Sequence, residues 1–123
     1  MKVLLIDPDV LEPLQIETPG GLEEWRRLID CSLIDVASRR ISGQYYDFII
    51  DDEGLLKGRK VTALDSAGNP MLSGPLVICR YDGKGGEMSL TAADIQAITE
   101  KIVIVSDKRK PGEKWLAVSG IEY

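Results

Sequence analysis

The sequence predicts an α+β fold: a mostly antiparallel, twisted sheet with two short helices on one face and a C-terminal β-hairpin. Three observations carry this expectation. Short apolar runs recur along the chain, each bounded by Gly, Pro, Asp or Asn, which is how strands separated by turns are written. Two segments instead place apolar residues at helical intervals, near 22–30 and 91–102. The length of 123 residues suits one domain, with enough chain for a modest core that needs no disulfide or metal staple. The domain is expected to span 1–123, with 101–123 as a hairpin extension.

The elements follow in order. Residues 1–6 contain Val3-Leu4-Leu5-Ile6, a buried-looking strand, and Asp7-Pro8-Asp9 turns the chain. Leu14-Gln15-Ile16-Glu17 alternates apolar and polar residues and returns as a second arm. After the break at Thr18-Pro19-Gly20-Gly21, residues 22–30 set Leu22, Trp25, Leu28 and Ile29 on one helical face. Glu23 and Glu24 stand in the first turn, where the helix dipole favours them. Residues 32–38 and 44–50 read as a strand pair joined at Ser42-Gly43, with Tyr45, Tyr46, Phe48, Ile49 and Ile50 the most strand-prone stretch. Residues 61–64 and 70–72 flank a reverse turn at Asp65–Asn69, and Leu76–Arg80 is a short buried strand. Thr91, with Asp94 three places on, forms a helix cap ahead of Ile95, Ile98 and Ile102 on one face. Finally, Lys101–Ser106 and Lys114–Ser119 are two apolar arms around a basic tip.

Composition excludes several chemistries. The chain has no histidine, which removes serine–histidine and cysteine–histidine nucleophile pairs and histidine metal ligands. No serine is followed three residues later by lysine, so that substitute is missing too. Cys31 and Cys79 stand far apart with no second cysteine near either. They read as two reduced thiols in or near the core rather than a zinc site. The first apolar run is too short for a signal peptide or a membrane span, so a cytoplasmic protein is expected. Residues 1–100 carry 10 basic and 17 acidic side chains, and this acidic body disfavours nucleic acid as a partner.

Three motifs invite functional readings. Gly83-Lys84-Gly85-Gly86 looks like a phosphate loop ahead of a helix. Yet Lys84 precedes the last two glycines, and Glu87 stands where a phosphate would sit, so a plain turn is expected. Asp51-Asp52-Glu53-Gly54 groups three carboxylates, but their spacing lacks the alternation of a calcium loop. A solvated turn ending the preceding strand is expected. Lys108, Arg109 and Lys110, with Trp115 close behind, mark the tip of the C-terminal hairpin as a candidate partner surface. Its arms are apolar on successive residues, which demands cover on both faces. A second subunit or another protein is one source of that cover, with Trp115 as anchor; a central place in the sheet is the other.

The middle of the chain resembles a small uncharacterised domain family encoded by bacteriophages, plasmids and gut bacteria, sometimes beside antirestriction proteins. The resemblance rests on DDEGLLKG (Asp51–Gly58), GNPMLSGPLVIC (Gly68–Cys79) and SLTAADIQAI (Ser89–Ile98), and the opening MKVLLIDPD is also similar. Arg59-Lys60-Val61 departs from the usual Pro-Asn-Arg, and the hairpin of 101–123 extends past the usual end. The resemblance implies a fold and a genomic setting but carries over no catalytic residue. The expected function is a non-enzymatic accessory protein of a mobile element, without cofactor or metal, that binds a host macromolecule or itself. The alternative is a small-molecule or nucleotide-binding protein built on the glycine loop and the Asp51–Gly58 turn.

Overall fold

A computed structural model describes residues 1–84 and 86–123. In chain order the elements are β1 (Lys2–Ile6), β2 (Leu14–Glu17), α1 (Leu22–Ile29), β3 (Ile34–Ile41), β4 (Gln44–Asp51), β5 (Val61–Asp65) and β6 (Pro70–Ser73). They continue with β7 (Leu76–Tyr81), β8 (Glu87–Met88), α2 (Ala92–Thr99), β9 (Ile102–Ser106) and β10 (Lys114–Ile121). The α+β class, the two short helices and the C-terminal hairpin are as the sequence predicts. The Ser42-Gly43 turn also holds: the two residues take φ of 50° and 81°, the left-handed pair of a two-residue hairpin loop.

The single sheet expected from sequence is in fact two. The first runs β2-β1-β7-β4-β3, with β8 attached to β7, and the second runs β6-β5-β10-β9. All neighbours are antiparallel except β10 and β5, which pair in parallel with Val118 opposite Ala63. The two sheets meet at one corner, where the backbone groups of Arg40 and Glu122 exchange hydrogen bonds of 2.7 and 3.0 Å.

Nor do the helices share a face. The run Val3-Leu4-Leu5-Ile6 is buried throughout, so β1 needs cover on both sides. Val3 and Leu5 point with Val77, Cys79 and Ile49 towards Trp25 and Ile29 of α1. Leu4 and Ile6 point the opposite way with Phe48 and Ile78, towards Ile98 of α2 and Leu116 and Val118 of the second sheet. The first sheet is therefore the middle layer, with α1 on one side and α2 plus the second sheet on the other. Period-two alternation within each apolar run produces both cores at once.

The cap expected for α2 is present in full. The Asp94 amide donates to the Thr91 hydroxyl at 3.1 Å, and the Thr91 amide donates to the Asp94 carboxylate at 2.8 Å. The buried Tyr46 hydroxyl also donates to Asp94 at 2.8 Å, tying the helix start to β4. Burial works against the Asp94 charge. The Thr91 amide, the Tyr46 and Thr91 hydroxyls and nearby Arg80 outweigh it and hold its pKa below the ordinary value. Both cysteines are free. Cys79 is fully buried, which together with the charges of Asp47 and Glu87 pushes its thiol up to about 12.

Candidate interaction surface

The turn expected to end β4 is present, but its first acid is not solvated. Asp51 ends β4 with its side chain fully buried, whereas Asp52 is exposed. One Asp51 oxygen accepts from the Glu53 amide at 2.9 Å. The other takes Arg59 at 2.7 Å and Lys57 at 3.1 Å. Burial opposes ionisation, but these three donors overcome it and keep the pKa below 3.8. A buried carboxylate with all its oxygens engaged is a fastener. It draws both ends of residues 52–58 together.

Backbone bonds complete that turn. Asp52 donates to Leu33, Lys57 to Glu53, and Arg59 to Gly54. Gly54 is required by close approach, since a methyl group there would run into the Ser73 carbonyl at the end of β6. On this fixed base Leu55 and Leu56 stand out into solvent, 80% and 87% exposed. Beside them lies a cleft of about 200 Å³ lined by Ile50, Leu55, Pro70, Met71 and Leu72 together with Asp51, Asp52 and Ser73. Isolated surface leucines are ordinary, but two in succession on a fastened turn, next to further apolar surface, form a contact patch. The sequence signal was there: an apolar pair between Gly54 and Gly58, where turn residues are normally polar.

The glycine-rich loop joins β7 to β8. Its amides face its own acid: Lys84 and Gly86 donate to an Asp82 oxygen at 2.6 and 3.0 Å. A negative charge already occupies the place where a phosphate would be held. Gly85 lies outside the described residues.

The sequence-predicted surface at the C-terminal hairpin divides in two. Lys108, Arg109 and Lys110 are exposed at the tip between β9 and β10. Trp115 is half-buried instead. Its indole donates to the Val61 carbonyl at 2.7 Å, and the Lys60 ammonium, itself bridged to Glu113, lies 5.5 Å from the ring centre. Among the described residues, no hydrogen bond, ion pair or cation–π contact joins Trp115 to the basic tip. The ring serves to fasten β10 to β5. The cover sought for β10 comes from within the chain, since Leu116, Ala117 and Val118 are buried. β9 differs: it is the last strand of its sheet, and Ile104 is 59% exposed.

Among the described residues, no group of three or more Cys, Asp or Glu is placed to hold a metal ion, and no helix is long and apolar enough to cross a membrane. No curated protein and no solved structure matches the chain. Residues 1–103 match a family described as a domain of unknown function, DUF3846, a span that takes in the Asp51 fastener, the leucine turn, the glycine loop and α2 and stops early in β9. The chain belongs to the DUF3846 family.

Proposed function

We propose that this protein is a non-enzymatic accessory protein of a phage or other mobile element that binds a host protein through the Leu55–Leu56 turn. The observation that carries the reading is the pairing of two nearly fully exposed leucines with a buried, triply bonded carboxylate that holds their turn rigid. A rigid apolar knob loses little conformational entropy on docking, and this raises affinity. Burying two leucine side chains is worth about 3 kcal/mol, roughly a hundredfold in Kd. The fitting partner offers an apolar pocket with a basic rim, since the knob projects from a molecule with 20 acidic and 15 basic residues. The mobile-element setting rests on the sequence resemblance alone. Against the small-molecule alternative stand the bonds of the Lys84 and Gly86 amides to Asp82 and of the Asp51 oxygens to Glu53, Lys57 and Arg59.

The test compares wild type with the Leu55→Ser/Leu56→Ser variant as bait in bacterial lysate. The expected result is a protein retained by wild type and lost by the variant, with melting temperature unchanged because neither side chain lies in a core. Equal retention by both baits would remove the leucine turn from the interface.

A further inference from the structure

The edges of the two sheets are not equally protected. β2 is four residues long and follows Pro13, and β6 is four residues long and begins with Pro70. β3 carries Asp35, Arg39 and Arg40 and is met at Arg40 by Glu122. Short length, proline, charge and cover are the usual guards against edge-to-edge pairing. β9, at five residues, has no proline, charge or covering strand. Its sequence is Ile102-Val103-Ile104-Val105-Ser106.

The polarity of that edge follows from the ladder. The Lys101 carbonyl accepts from the Ser119 amide, so Lys101 faces β10. Alternation then turns Val103 and Val105 towards β10 and leaves the backbone groups of Ile102, Ile104 and Ser106 pointing outward. Among the described residues those three make no backbone hydrogen bond outside the ladder.

We propose that β9 pairs with β9 of a second copy of this chain, antiparallel about a two-fold axis through Ile104, so that the two second sheets become one continuous sheet. This register uses every outward group: Ile104 bonds its own counterpart, and Ile102 bonds Ser106 of the other copy in both directions. Val103 of each copy then faces Val105 of the other on the opposite sheet face. The flanking charges fix both partner and register. Lys101 precedes the strand and Asp107 follows it, so the same two-fold sets Lys101 of each copy opposite Asp107 of the other. A strand that reads cation, five uncharged residues, anion is complementary to itself only when antiparallel, and an unrelated peptide would have no reason to match both ends.

Light scattering on the full chain at about 100 μM tests this, with native mass expected to tend towards twice 13.5 kDa. Ile104→Lys, which sets like charges at the axis, should return the mass to one chain without loss of circular dichroism signal. Lys101→Glu should weaken the dimer at least tenfold, and adding Asp107→Lys in the same chain should restore it. In a Cys31→Ser background, Ile104→Cys should cross-link to dimer under mild oxidation, because bonded antiparallel partners lie about 5.5 Å apart, within disulfide reach. A chain of single mass at every concentration, or a dimer indifferent to these substitutions, overturns the proposal.

Discussion

Asp51 has to remain charged in a place that water does not reach, and the residues that allow it are the next ones along the chain. Replacing it with Asn keeps the shape but removes the charge that Arg59 and Lys57 answer. The expected loss is about 2 kcal/mol, because charged hydrogen bonds are the ones broken and the two cations can still turn towards solvent. In a domain of this size that corresponds to a fall in melting temperature of about 8 °C, measurable by circular dichroism. The pH dependence follows from the direction of the shift. The folded pKa lies below the ordinary 3.8, so the stabilisation is complete above that value and fades as pH falls through the folded pKa. Wild type and Asp51→Asn should therefore differ at pH 6 and converge only as pH falls through the depressed folded pKa, below the ordinary carboxylate range. A constant gap across that range would mean that Asp51 acts through shape rather than charge.

At the level of elements, turns and caps were the most legible features of the sequence. Ser42-Gly43, Asp65–Asn69 and Thr91 with Asp94 specify local geometry by themselves, and each appears where its residues place it. The Thr91 cap should be worth about 1 kcal/mol, so Thr91→Ala should lower the melting point by a few degrees. A larger drop, matched by Tyr46→Phe, would show that the cap and the Tyr46–Asp94 bond fail together. What the sequence left open was which run faces which neighbour. The arms of the last hairpin are equally apolar, yet β10 is buried inside the sheet and β9 stands at its edge. That difference is set by β5, a remote strand that chooses one arm and not the other. The candidate surface was harder to read for a different reason. Leu55 and Leu56 count as core residues by type, and only the turn that carries them turns them outward.

For the molecule as a whole, the decisive feature is that β10 lies between β5 and β9 while being the last strand along the chain. Strands β5 and β6 are linked by a local turn, but they have no neighbour until everything from β7 to β9 has been synthesised. With only the first hundred residues made, Leu4, Ile6, Phe48 and Ile78 would have Ile98 of α2 to pack against but not Leu116, Val118 and Ile121, which complete the cover of that face. Long-range pairing of this kind also slows folding, since the chain must close a large loop before any contact rewards it. A chain cut after Lys101 is the equilibrium counterpart of that half-made protein. It should show no cooperative melting transition and should bind a dye that reports exposed apolar surface. If it instead folded and melted as sharply as the full chain, closure of the core could not depend on the last strand. A protein built this way keeps part of its apolar core open during its own synthesis and can close it only once β10 has been made.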